Sequence, residues 1–218
     1  MTVRTRIKFC GITRVEDLDA AVEAGADAIG LNAYDRSPRF VGPETAARLA
    51  ARLPPFITPV LVLVDATRDA IGAYLDLFPA YTLQFHGDET AEDCEQFGNP
   101  FIKVARIAAG VEHFDLEAFA ERYTTASAIL VDAHVEGYGG EGRGFDWNVI
   151  GTGPTLRPLI LSGGLRPETV GAGIAQLRPW AVDVSSGIER TKGIKDASKM
   201  RGFVDAVRTA DRLAGSGP

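Results

Sequence analysis

Two side chains of this sequence stand where they could move protons. Cys10 ends the apolar run Ile7–Cys10 and is followed by Gly11, while Asp132 ends the run Ile129-Leu130-Val131. A thiolate can take a carbon-bound proton while a carboxylic acid protonates an oxygen, the division of labour in general acid–base catalysis. Each residue has a plainer reading: Cys10 as a small buried hydrophobe, Asp132 as an ion-paired structural group. The strand-end position of Asp132 favours the chemical reading. Two glycine-rich segments point to an anion. Ser162-Gly163-Gly164 precedes a helix-period stretch opened by Pro167, and Ser185-Ser186-Gly187 follows the run Ala181–Val184. Glycines let backbone N–H groups approach a phosphate, and a helix N-terminus adds a favourable dipole. Either segment alone could be only a tight turn; two on neighbouring strands favour phosphate binding. A thiol and a carboxylic acid facing each other across a small sugar phosphate would suit proton shuttling.

No metal is expected, because His86, His113 and His134 share no ligand spacing with each other or with the cysteines. Acid–base chemistry also asks for no cofactor. His113, beside Glu112, reads as a solvated loop residue. His86 ends a strand and is open to lining the pocket or to a structural hydrogen bond. Cys94, on a helical segment, reads as ordinary core or surface.

What must position these residues is an alternation of strands and helices. Eight short β-branched or apolar runs recur: Ile7–Cys10, Ala28–Leu31, Pro59–Val64, Thr82–Phe85, Phe101–Ile107, Ala128–Asp132, Pro158–Ser162 and Ala181–Val184. Near-continuous apolar runs are the mark of strands buried on both faces of a parallel sheet. Between them lie helical segments. Thr13-Arg14-Val15-Glu16 reads as a capping box opening a helix that Gly25 stops. Others are expected from Pro43 to Arg52, over Thr67–Phe78, Ala91–Phe97 and Leu116–Tyr123, from Pro167 onward, and over Ala197–Arg212. Asp146–Gly153 is weak and holds at most a short helix. Eight units favour a closed (β/α)8 barrel, an α/β fold whose functional face is the C-terminal end of the strands, with a recurrent phosphate site after strands seven and eight. With no Pro/Ser-rich linker, residues 1–218 read as a single domain, 214–218 as a loose tail.

Composition bounds the partners. Lys and Arg number 23 against 29 Asp and Glu, a net charge of −6, which argues against nucleic acid and anionic membranes. Hydrophobic residues at 45% and charged residues at 24% exclude a disordered chain. Two cysteines exclude a disulfide scaffold and point to a reducing cytoplasm. The segment after Met1 is too short for a signal peptide, and the longest apolar stretch, Val60–Val64, is far below the ~20 residues of a membrane helix.

From Ile7 to about Val207 the chain resembles the N-(5′-phosphoribosyl)anthranilate isomerases of tryptophan biosynthesis. The resemblance runs through Lys8-Phe9-Cys10-Gly11, Gly25-Ala26-Asp27, Ser37-Pro38-Arg39, Gln84-Phe85-His86-Gly87-Asp88 and Asp132. It continues in Gly139-Gly140-Glu141-Gly142 with Phe145-Asp146-Trp147, in Gly163-Gly164-Leu165, in Val182 to Glu189, and in Gly193-Ile194-Lys195-Asp196. It implies an Amadori rearrangement with Asp132 as general acid at the furanose ring oxygen and Cys10 as general base at C2′. By the same resemblance Arg39 pairs with the anthranilate carboxylate, a task suited to a two-pronged donor. Asp183 contacts a sugar hydroxyl, and Gly142, Gly163, Gly164, Ser185, Ser186 and Gly187 surround the phosphate. Three departures stand out: Phe9 where the family often has Ile, Asn32-Ala33 where it has large apolar residues, and Glu141 where it commonly has Thr. A histidine-pathway isomerase of the same reaction class would be longer, with two phosphate sites and an aspartate in place of Cys10. A non-catalytic sugar-phosphate-binding regulator would need neither Cys10 nor Asp132. Monomer and homodimer both stay open.

Overall fold

The computed structural model describes residues 4–133, 146–151 and 155–215. Its strands are β1 (Arg6–Cys10), β2 (Ala28–Asn32), β3 (Thr58–Leu63), β4 (Thr82–Phe85), β5 (Phe101–Ile107), β6 (Ala128–Ala133), β7 (Leu159–Leu161) and β8 (Ala181–Val184). They close into one barrel in sequence order, every neighbouring pair parallel. Each apolar run read from the sequence is a strand, its ends within one residue of those expected. The helices are α1 (Val15–Ala24), α2 (Pro43–Ala51), α3 (Arg68–Leu77), α4 (Ala91–Glu95), α5 (Leu116–Glu121), α6 (Val170–Leu177) and α7 (Ala197–Gly215). In the weak stretch after Asp146 the described residues form one 3-10 turn, Trp147–Val149.

The period-2 alternation of strands divides the core into two shells. Outward residues such as Phe9, Leu31, Leu61, Phe85, Val131 and Val182 join the layer under the helices. Phe9, for example, meets Phe203 of α7 edge-on at 6.1 Å between ring centroids. Inward residues Val60, Ile102, Val104, Leu130 and Ile160 plug the barrel as a separate cluster. Toward the strands' C-terminal ends the inward positions turn polar: Lys8, Gln84, Asp132, Ser162 and Asp183. The apolar plug is the floor, and the polar ring above it holds the candidate site residues.

Four details depart from the sequence reading. The capping box at the start of α1 does not form: Arg14, not Thr13, takes the N-cap position, and the Thr13 hydroxyl donates to the Gly193 carbonyl (2.9 Å). Helix α6 begins at Val170, since Arg166–Thr169 form a turn closed by the Arg166 N–H on Thr169 Oγ1 (3.0 Å). Helix α7 runs through Gly215, so Ala214 and Gly215, expected in a loose tail, close it. A small antiparallel hairpin, β9 (Glu189–Thr191) with β10 (Ile194–Lys195), follows β8 and escaped the periodicity altogether.

Candidate active site

On β1 the alternation turns Lys8 and Cys10 the same way, into the barrel. The Lys8 ammonium donates to Asp183 Oδ1 (2.8 Å), its register partner on β8, and both are buried. Asp183 Oδ2 accepts from Ser162 Oγ at 3.4 Å. Burial pulls the Lys8 ammonium down, but the Asp183 carboxylate and the Cys10 sulfur outweigh it and hold it above the ordinary lysine value. Burial likewise pushes the Cys10 thiol up, with Lys8 and Lys195 pulling back and the Asp183 charge adding to the rise. Room for the sulfur comes from Gly30, the residue facing Cys10 on β2: a Cβ there would stand 2.8 Å from Sγ and 3.0 Å from the Cys10 Cα.

Across the mouth, β6 delivers Asp132. Its Oδ2 lies 3.5 Å from His86 Nε2, both side chains partly open to the mouth. Burial first, then the charges of Lys8, Arg106 and Lys103, lower the His86 pKa to about 3, so its imidazole is neutral at working pH. Its partial exposure and its approach to Asp132 fit both readings of His86, a pocket wall and a structural hydrogen-bond partner. The segment carrying it is braced from behind: outward-facing Lys103 donates to the Gly87 carbonyl and to Glu89 Oε2 (both 2.8 Å). Glu89 Oε1 accepts the Asp65 N–H at 2.8 Å.

A third group gathers on the Cys10 side. Arg39, on the loop after β2, is only 5% exposed and meets Glu189 with two bonds, Nε to Oε1 (2.7 Å) and Nη2 to Oε2 (2.8 Å). Glu189 Oε1 also accepts from Lys195 Nζ (2.9 Å) and the Gly193 N–H (3.3 Å). Lys195 Nζ in turn donates to the Ser185 carbonyl at 3.1 Å. Burial works against the Glu189 carboxylate, yet Arg39 and Lys195 hold it below the ordinary range. Lys195, more deeply buried, is held below the usual lysine value despite Glu189. Asn32, one of the departures, has a use here: its Nδ2 donates to Ser37 Oγ (3.2 Å) and its Oδ1 accepts the Tyr34 N–H (2.8 Å), ordering the loop that carries Arg39.

The two glycine loops meet. Gly163 and Gly164 both adopt positive φ (84° and 68°), a conformation that suits glycine. Gly187 packs so closely on the β7 loop that a Cβ would lie 1.9 Å from the Leu165 carbonyl oxygen. Ser185 and Ser186 stand at the entry to the 3-10 turn Ser186–Ile188. Gly142, Glu141 and His134 lie outside the described residues. Among the described residues no group of three or more His, Cys, Asp or Glu is placed to hold a metal.

Lys8, Glu189 and Lys195 join the site without a task predicted from the sequence. A lysine two residues before Cys10 on a buried strand must share its face, and that signal was available. The pairing of Glu189 with Arg39, 150 residues apart, had none.

Fold and site together define a (β/α)8 barrel whose polar mouth carries a thiol and a carboxylate at the C-terminal ends of its strands. The model of the N-(5'phosphoribosyl)anthranilate (PRA) isomerase family matches residues 7–206, and the chain belongs to that family. It is 56% identical to the N-(5'-phosphoribosyl)anthranilate isomerase of Leptothrix cholodnii over 95% of this chain and 93% of that protein. Among solved structures it resembles monomers of the dimeric phosphoribosylanthranilate isomerase of Thermotoga maritima (32% identity, 94% of this chain and 99% of that one, TM-score 0.76). It is also similar to a phosphoribosyl anthranilate isomerase in complex with reduced 1-(o-carboxyphenylamino)-1-deoxyribulose 5-phosphate (33% identity, 94% and 99% coverage, TM-score 0.74).

Proposed function

We propose that the mouth of this barrel carries out an Amadori rearrangement with Asp132 as general acid and Cys10 as general base. The activity is that of the family: N-(5′-phosphoribosyl)anthranilate becomes 1-(2-carboxyphenylamino)-1-deoxyribulose 5-phosphate, a step of tryptophan biosynthesis. Asp132 gives its proton to the furanose ring oxygen, the bond from that oxygen to C1′ breaks, and the anthranilate nitrogen forms a Schiff base with C1′. Cys10 then removes the C2′ proton, the electrons return to nitrogen, and the enolamine tautomerises to the ketone. Arg39 holds the anthranilate carboxylate and Asp183 a sugar hydroxyl. Gly163, Gly164, Ser185, Ser186 and Gly187 hold the phosphate through backbone N–H groups, together with Gly142.

The observation that supports this best is the pair of inward-facing strand ends, a thiol on β1 and a carboxylate on β6, with the Lys8 ammonium beside the thiol. A nearby cation favours the thiolate that proton removal needs. Neutral His86 can share a hydrogen bond with Asp132 without adding charge. Two free thiols fit a cytoplasmic enzyme; a monomer and a homodimer both fit the fold.

The test is turnover of enzymatically generated substrate, followed by its fluorescence. Cys10→Ala and Asp132→Asn each lower kcat by at least ~10²–10⁴-fold, the usual share of one acid or base, with binding of the reduced product analogue kept within a few-fold. Because burial raises the Cys10 pKa, the thiolate becomes scarcer on acidification, and alkylation of Cys10 by iodoacetamide slows as pH falls. A Cys10→Ala protein with near wild-type kcat overturns the assignment.

A further inference from the structure

The Glu189 carboxylate is the most heavily bonded acid in the described residues around the mouth, and the acid–base steps make no use of it. It is 7% exposed, and it engages Arg39 twice, Lys195 once and the Gly193 N–H. A buried carboxylate shared by two cations leaves that corner with one net positive charge, suited to an anionic ligand. Arg39 itself lies against the turn that carries the thiol, since a Cβ on Gly11 would stand 2.4 Å from Arg39 Cδ. A guanidinium gripped along its Nε–Nη2 edge has its plane and direction fixed, whereas a single bond would leave it free to swing.

We propose that Glu189 is a positioning residue for carboxylate recognition: by holding the Nε–Nη2 edge it sets the plane and direction in which the Arg39 guanidinium meets the aromatic carboxylate of the substrate and, through Lys195, couples that clamp to the Ser185 loop. This rests on the reading of Arg39 as the carboxylate clamp. Glu189→Gln keeps the shape but removes the charge and turns an amide N–H toward at least one existing donor, so the two-bond grip is lost. Glu189→Asp keeps the charge and withdraws the carboxylate by one methylene.

The experiment measures dissociation constants of two probes: the reduced product analogue and its phenylamino counterpart lacking the ring carboxylate. The ratio between them reports the carboxylate alone, so a general loss of stability or phosphate affinity leaves it unmoved. Arg39→Ala abolishes the wild-type preference for the carboxylated probe. Glu189→Gln lowers that preference by about tenfold or more, the scale of one hydrogen bond to a charged group, and Glu189→Asp lowers it less. In the Arg39→Ala background Glu189→Gln changes the ratio no further. If Glu189→Gln does not fold, the Asp variant carries the test, and an unchanged ratio there overturns the proposal. Equal weakening of both probes also overturns it and leaves Glu189 a staple of the hairpin. If Arg39→Ala keeps the preference, the clamp reading fails as well; if only the Glu189 variants keep it, the positioning role alone fails.

Discussion

Gly30 decides where the Cys10 sulfur sits, although it carries no side chain. It faces Cys10 across the β1–β2 ladder, and any Cβ would press on both the sulfur and the Cys10 backbone. Gly30→Ala must therefore move the thiol by a few tenths of an ångström or more, and displacements near 1 Å cost on the order of 10²-fold in rate. We expect kcat to fall at least tenfold while KM for the substrate changes little, and the melting temperature to drop by a few degrees, the scale of an overpacking cost of about 1–3 kcal/mol. Steady-state kinetics and a thermal melt check this, and an unchanged kcat would mean that the sulfur tolerates displacement. The thiol, the acid and both glycine loops were legible from residue type and strand-end position alone. The need for glycine opposite the thiol was not, because it depends on which residue the barrel register places beside Cys10.

The elements supply rigidity by uneven means. β5 is outwardly apolar except for Lys103, a buried ammonium that braces the β4–α4 segment through Gly87 and Glu89. Replacing it by Met leaves the Glu89 carboxylate buried without its cation, a loss that costs about 3–5 kcal/mol when a buried pair is broken. Urea unfolding of Lys103→Met should register that loss, and a second substitution, Glu89→Leu, should recover part of it. A single variant as stable as wild type would mean that Glu89 finds another partner or takes a proton. The existence of these elements followed from hydrophobic period, which is local. Their starts were less secure: at α1 Arg14 rather than Thr13 takes the N-cap position, and the Thr13 hydroxyl bonds the distant hairpin.

At the scale of the whole molecule, closing the barrel buries titratable groups together, which makes stability depend on pH. Unfolded His86 takes up a proton near its ordinary value of 6.5, but folded His86 does so only at about 3. Between those values the unfolded state binds more protons, so stability falls as pH falls. Burial first, then repulsion by Lys8, Arg106 and Lys103, opposes the incoming proton, and Asp132, 3.5 Å away, does not compensate. For this one group the loss between pH 7.5 and 5.5 is about 1.4 kcal/mol. Below the usual carboxylate range Glu189 adds to it, since its folded pKa is depressed and its contribution is lost as it protonates. Denaturant unfolding at the two pH values should give a smaller loss for His86→Asn by about that amount; an equal loss would place the proton uptake elsewhere.

The order of strands and helices, the closed barrel they make and the residues at the strand ends were determined by the sequence itself, because period, glycine position and residue type are properties of neighbouring residues. Only the tertiary structure decided which charges meet. Lys8 with Asp183 and Arg39 with Glu189 are pairs separated by 175 and 150 residues. Their contact follows from β8 closing against β1 and from a hairpin packing against the segments that follow β1 and β2. No local pattern encodes such a pairing; it is the outcome of burying several charges in one low-dielectric corner, where each must find an opposite partner.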